Sequence, residues 1–270
     1  MNRRYDYILA GGGAAGLSLA YHIVHDAATK DAEILIIDME QKGANDRTWC
    51  FWIDRPFIFD PVVHRRWKHV YFIGPERRRR IAMNPYEYRM IRGEDFYRFT
   101  MEDLARRENV AFVSERVDRI EDGDPDTDDP ARVILDSGEV YEATWVFDSL
   151  FLPKEFPVDV GRYRFLKQHF VGWTVRTDEA VFDPDAATMF DLRIDQNGAF
   201  RFMYILPTSE REALLEYTLF SSRLLEREEY ERGIRDYVTR YLNDTAYTIV
   251  EEESGIIPMT DQPFPRHGGK

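Results

Sequence analysis

The stretch Tyr5 to Asp38, YDYILAGGGAAGLSLAYHIVHDAATKDAEILIID, changes character three times. An apolar run, Tyr5 to Ala10, ends on Gly11, Gly12 and Gly13. An Ala/Leu-rich segment from Ala14 to about Ala28 has helical character, and a second apolar run, Ile34 to Ile37, closes at Asp38. Strand, glycine turn, helix and strand in that order form a right-handed βαβ crossover in a parallel sheet. Gly11, Gly13 and Gly16 satisfy G-x-G-x-x-G, and Asp38 follows Gly16 by 22 residues. The glycines permit a tight turn and a close approach of backbone to a pyrophosphate. Ala14 opens a helix whose N-terminal amides and dipole face the phosphates. Asp38 can accept hydrogen bonds from ribose hydroxyls. The fingerprint serves FAD and NAD alike, but its place at the extreme N-terminus and the later change to antiparallel segments favour FAD.

Outward from this unit, Gly43 to Met90 reads as irregular, with aromatic-rich strands and turns. Helical periodicity returns over Glu94 to Glu108, with Phe96, Phe99 and Leu104 on one side. Val110 to Val117, Arg132 to Leu135 and Thr144 to Phe147 read as strands around the acidic turn Glu121 to Asp129. The last strand ends at Asp148, either returning the chain toward the cofactor or placing an acid in solvent. After Pro153 the segments lengthen: His169 to Arg176, Thr188 to Arg193, Ala199 to Leu206 and Glu212 to Ser221, then a charged helix, Glu228 to Tyr241. The expectation is an α/β protein with a Rossmann-type FAD-binding domain over residues 1–153 and an antiparallel-sheet substrate subdomain over 154–270. The tail Asp261 to Lys270 reads as a loop.

With 270 residues, 44% of them hydrophobic, the chain can bury a sizeable core. Its 49 acidic and 36 basic residues give a net charge of −13, which argues against a nucleic-acid partner. The single cysteine, Cys50, excludes an internal disulfide framework or a multi-cysteine metal site and fits a reducing cytoplasm. The six histidines show no metal-ligand spacing. No signal peptide or spanning segment is readable, so the chain is expected to be soluble or peripheral.

Glu216 interrupts the strongly apolar LLEYTLF, and strand alternation puts Leu214, Glu216 and Thr218 on one face. If that face lines an apolar cavity, desolvation raises the carboxyl pKa and keeps a proton available near neutrality. The other reading is an edge-strand acid in water. Asp191, in TMFDLR, either pairs with Arg193 or assists Glu216. Phe200, Phe202 and Tyr204 alternate on one strand face, suited to core packing or to stabilising a cation with their π-faces. Asp46, Arg47, Thr48 and Trp49 combine a charge pair, a hydroxyl and a ring. They suit holding a flavin or its phosphates; the other reading is a surface turn beside core aromatics. Arg77 to Arg80 is a basic run, a solvated turn by default.

The motifs LAGGGAAGLSLA, NDRTWCFW, LLEYTLFS and GIIPMT, in that order, closely resemble those of bacterial lycopene beta-cyclases, and the resemblance runs over essentially the whole chain. It implies an FAD-binding domain of the hydroxylase type with a substrate domain inserted into it. It also implies closure of the ends of linear lycopene into β-ionone rings without net redox change, using reduced FAD and, indirectly, NAD(P)H. Glu216 matches the family's essential acidic residue, and Asp191 lies near a family Met-Asp pair, imperfectly because Phe190 adjoins it. Arg47 and Thr48 join Gly11, Gly13, Ala14, Gly16 and Asp38 as cofactor-site candidates. A lipid substrate implies peripheral contact with the inner face of the cytoplasmic membrane, where Arg77 to Arg80 would meet anionic headgroups. The family continues past GIIPMT, so the chain reads as stopping short of the family's final segment. The rival readings are a related FAD-dependent oxidoreductase, such as a hydroxylase or a geranylgeranyl reductase, and a fragment that binds nucleotide without turnover.

Overall fold

The computed structural model describes residues 4–40, 42–43, 45–124, 126–150 and 157–263. The chain begins with β1 (Arg4–Ala10), α1 (Ala14–His25) and β2 (Ile34–Ile37). Five strands follow: β3 (Thr48–Ile53), β4 (Val63–Trp67), β5 (His69–Ile73), β6 (Arg78–Ala82) and β7 (Glu87–Arg92). Next come α2 (Gly93–Leu104), β8 (Val110–Val113), β9 (Val117–Glu121), β10 (Ala131–Leu135) and β11 (Val140–Asp148). The last elements are β12 (Phe165–Thr177), β13 (Ala186–Asp191), β14 (Phe200–Pro207), β15 (Glu212–Ser221), α3 (Arg227–Tyr241) and β16 (Tyr247–Thr260).

These elements form two compact units. The first draws on Met1–Asn45 and Gly93–Pro157, the second on Asp46–Arg92 and Val158–Gln262. Residues 46–92, assigned by the sequence to the first domain, therefore cluster with the second unit. The boundary at Pro153 and the tail from residue 264 lie outside the described residues.

The first unit holds a six-stranded sheet in the order β8-β2-β1-β11-β10-β9. The four strands β8, β2, β1 and β11 run parallel, β10 pairs antiparallel with β11, and β9 pairs antiparallel with β10. Ile8, Leu9 and Ala10 are buried, as are all four residues of β2, because a parallel sheet is covered on both faces. Strand order departs in opposite directions from β1, so the carboxyl ends of β1 and β11 flank a switch point, where open α/β sheets bind ligands. The expected strand Val110 to Val117 is two strands interrupted at 114–116. The expected helix ends at Leu104, four residues early.

The second unit is built on a seven-stranded sheet, β16-β12-β15-β14-β13-β5-β6, with β13 and β5 its parallel pair, beside a three-stranded sheet, β3-β7-β4. Alternation sorts β15 as the sequence indicates. Leu215, Tyr217 and Leu219 pack under α3 against Tyr230, Ile234 and Val238. Leu214 faces the other way, against Trp67, Tyr88 and Met90 of the small sheet. That second face carries Glu216. β16, 14 residues long, was not expected as a strand, because Glu251 to Glu253 hides its alternation.

Candidate active site

In the first unit the glycine turn leads from β1 into α1. Gly11 has φ +106°, a left-handed backbone that favours glycine, and its N–H donates to the Ile37 carbonyl at 2.8 Å. A Cβ on Gly16 would overlap the Gly11 carbonyl oxygen, so helix and turn touch through backbone. Gly13 differs. Its φ of −77° suits any residue, and a Cβ there would meet no heavy atom within 4 Å. Among the described residues nothing requires glycine at 13, whereas a molecule lying against the turn would. Gly13 precedes Ala14 at the helix start without a side-chain cap, leaving the first amides for an anion. Asp38 accepts the Gly12 N–H at 2.6 Å and the Glu40 N–H at 2.7 Å. Each of its oxygens keeps acceptor capacity for a hydroxyl. A cleft of about 270 Å³ opens beside Asp38, Lys42 and Met101. The turn, the bare helix end and the acid together fit a pyrophosphate and a ribose.

In the second unit a cavity of about 480 Å³ is lined by Trp49, Phe170, Phe190, Phe202, Tyr204 and Phe220, with Glu216 among them. Phe190 and Phe202 lie 4.6 Å apart between ring centroids, and Phe202 and Phe220 stack at 6.0 Å. Glu216 is buried to 7% exposure. Burial pushes its carboxyl well above the usual carboxylate range, and the negative charge of Glu253, with a hydrogen bond between the two, pushes it further. Beside the pair, the Tyr88 and Tyr204 hydroxyls are hydrogen-bonded to each other. Burial raises both phenols and pushes the Cys50 thiol up to about 12. The site thus holds a carboxyl pushed toward its protonated form, among aromatic side chains.

Arg47 and Thr48 line this same cavity, and the Thr48 hydroxyl donates to Glu253 Oε2 at 2.7 Å. Asp191 does not line it. It is fully buried on the opposite sheet face, opposite Met203, where it binds the Arg193 guanidinium at 2.5 Å and accepts from the Tyr237 hydroxyl at 2.6 Å. An irregularity in the register of β13 between Thr188 and Asp191 puts both Met189 and Phe190 at the cavity and leaves Asp191 on the other face, toward α3. Of the two sequence alternatives the ion pair with Arg193 is present, and the structure does not bring Asp191 to the cavity of Glu216. Asp191→Ala is expected to cost roughly 3 kcal/mol by stranding a guanidinium under α3 while leaving turnover per folded molecule unchanged. Thermal unfolding beside an activity assay checks this.

Two contributors are not marked by the sequence. Glu253 sits in an acidic run that reads as a solvated face, and Gly172 lies within the expected strand His169 to Arg176. The available signal was the glycine itself, which weakens a long strand unless something must approach it. Among the described residues no His/Cys/Asp/Glu group could hold a metal ion, and no helix is long and apolar enough to cross a membrane.

The family model for lycopene cyclase protein matches residues 6–269. The chain is 25% identical to a lycopene beta-cyclase of Pantoea ananas over 96% of its own length and 64% of the relative's. To a lycopene beta-cyclase of Pseudescherichia vulneris it is also 25% identical, over 94% of this chain and 62% of that one. It therefore spans somewhat under two thirds of these relatives. Among solved structures it resembles p-nitrophenol 4-monooxygenase of Pseudomonas putida, with a TM-score of 0.65 at 13% identity over 97% of this chain and 70% of that one. A geranylgeranyl bacteriochlorophyll reductase-like protein of Thermoplasma acidophilum gives 0.61 at 15% identity over 94% and 66%. At such identities the likeness is one of fold, the α/β fold of flavin-dependent enzymes. The family match over nearly every residue, on that fold, makes this chain a member of the lycopene cyclase family.

Proposed function

We propose that this chain supplies the FAD site and the proton-donating site of a lycopene β-cyclase, which closes the ends of linear lycopene into β-ionone rings, giving γ- or β-carotene. The observation that carries the reading is Glu216, a carboxyl buried at a cavity lined by aromatic side chains, where burial and Glu253 push it well above the usual carboxylate range. Its O–H proton passes to a terminal carbon–carbon double bond, leaving a carbocation. The π pair of the next double bond attacks that cation and closes the ring. Loss of one ring proton then forms the ring double bond, so protons and electrons balance with no net redox change. Trp49, Phe190, Phe202 and Tyr204 present ring faces that favour positive charge. A cavity of about 480 Å³ lies within the size range of small-molecule sites and suits one end of a long polyene at a time.

Gly11, Gly13, Ala14, Gly16 and Asp38 are the residues that would hold FAD, with the pyrophosphate at the start of α1 and a ribose at Asp38. Arg47 and Thr48, which line the cavity of the second unit, are the further cofactor candidates. Reduced FAD, when bound, supplies an electron-rich ring system, and NAD(P)H is the proposed source of its electrons.

The substrate is a lipid, so the reading includes peripheral contact with the inner face of the cytoplasmic membrane. β6 is an exposed edge strand carrying Arg78, Arg79 and Arg80. Arg77→Gln with Arg79→Gln is expected to weaken co-sedimentation with anionic phospholipid vesicles severalfold. Equal binding to uncharged vesicles would remove this part of the reading.

The test is expression in a lycopene-accumulating bacterial host, as the chain alone and extended by the C-terminal segment of the Pantoea ananas relative, with carotenoids separated by chromatography. Formation of γ- or β-carotene by either form supports the reading. If neither form cyclises lycopene and purified protein with bound flavin oxidises NAD(P)H in proportion to a converted substrate, the oxidoreductase reading replaces it.

A further inference from the structure

We infer that Glu253 is the base of the reaction, taking the ring proton and passing it back to Glu216 across a gap that Gly172 keeps free of side chain. This rests on the cyclase reading above.

The inference starts from sheet register. On β12, Gly172 pairs with Glu216 of β15 on one side and with Glu253 of β16 on the other, so the three form one row across three strands. Adjacent strands lie about 4.8 Å apart, which puts the two glutamate backbones roughly 10 Å from each other. Two glutamate stems can span that distance and meet only if the middle position carries no side chain. A Cβ on Gly172 would lie 2.8 Å from the Glu216 Cγ and 3.3 Å from the Glu253 Cγ, closer than such atoms ordinarily approach. Both side chains therefore lean over the glycine, so that the Glu253 carboxylate acts directly on the Glu216 carboxyl.

The surroundings point to proton transfer rather than to a structural ion pair. Among the described residues, neither carboxyl has a Lys or Arg within ion-pair distance; the Thr48 hydroxyl on Glu253 Oε2 is neutral. Two carboxyls without a cation are held together by a proton between them. Both line the cavity, so one can face the carbon that gains a proton while the other faces the carbon that loses one. The cycle then balances. Glu216 gives its proton to the polyene, a ring C–H bond breaks, Glu253 accepts that proton, and the hydrogen bond returns it to Glu216.

Glu253→Gln keeps shape and hydrogen bonding but removes the acceptor. In the cyclising form of the protein it is expected to lower turnover at least roughly 100-fold with flavin content unchanged, and Glu253→Asp to restore part of it. A second readout separates chemistry from architecture. The groups facing Glu216 are Cys50, Tyr88, Tyr204 and Glu253, with Asp46 and Arg47 at the cavity wall, and the thiol and phenols stay neutral well past pH 8. Removing the Glu253 charge should therefore move the alkaline limb of the pH–rate profile to lower pH. Infrared titration of the protonated carboxyl band in the purified chain tests the shared proton without turnover. The band should titrate at lower pH in Glu253→Gln and be absent in Glu216→Gln. A carboxyl pair seen in the infrared with no cyclisation by any form removes the cyclase reading and leaves the pair. Wild-type turnover in Glu253→Gln, or a fall that Asp does not relieve and that leaves the pH limb in place, overturns the proposal.

Discussion

Glu216→Gln is expected to lower the proposed cyclisation by roughly 10³-fold and yet to raise stability at neutral and alkaline pH. The amide fills the same space beside Gly172 and can accept and donate hydrogen bonds, but it has no proton to give to carbon. The stability gain follows from the direction of the Glu216 shift, which burial and then Glu253 drive upward. A carboxyl raised in the folded state contributes its stability below its unfolded pKa, near 4.3. That contribution declines as pH climbs toward the folded value, since the unfolded chain then releases the proton more readily. Gln stays neutral at every pH and avoids this loss. Thermal unfolding of both proteins at pH 5 and pH 8 measures it: the difference in Tm should favour the variant and widen with pH. Undiminished ring formation in the variant would remove Glu216 from the chemistry.

Gly16→Val and Gly13→Val, three residues apart, are expected to fail in opposite ways. At Gly16 an added Cβ overlaps a backbone oxygen, that of Gly11, which no rotamer change can move. Strain of this kind costs on the order of 3 kcal/mol, or roughly 10 °C in Tm for a chain of this size, and flavin is lost because the turn is lost. At Gly13 the same substitution meets empty space within the protein, so folding is kept, and what is blocked is the surface on which a pyrophosphate would lie. Calorimetry beside flavin absorbance separates the two. Full flavin content in Gly13→Val would remove the nucleotide assignment at that turn.

Both predictions rest on positions readable before any fold is known, for local reasons. The βαβ unit is contiguous, so its strand period, glycine spacing and closing acid are carried by 34 consecutive residues and lie where they indicated. β15 was legible for a similar reason: a single charge in an apolar strand has a face assigned by its parity, and Glu216 shares that face with Leu214 and Thr218.

Parity within one strand says nothing about which strands lie beside it, and there the sequence stops. It left Asp191 undecided between Arg193 and Glu216, because which face of β13 meets α3 depends on packing some forty residues later in the chain. It assigned residues 46–92 by linear order, whereas β5 pairs with β13 across more than a hundred residues. It passed over Glu253, 37 residues from Glu216 and hidden in a run of acids, and over Gly172, whose lack of a side chain has meaning only when a carboxyl stands on either side of it. The sequence by itself determined the glycine turn of the βαβ unit and the strand face of Glu216, each written in adjacent residues. Only the tertiary structure decided what faces that acid, since long-range strand register brings together groups that no local period relates.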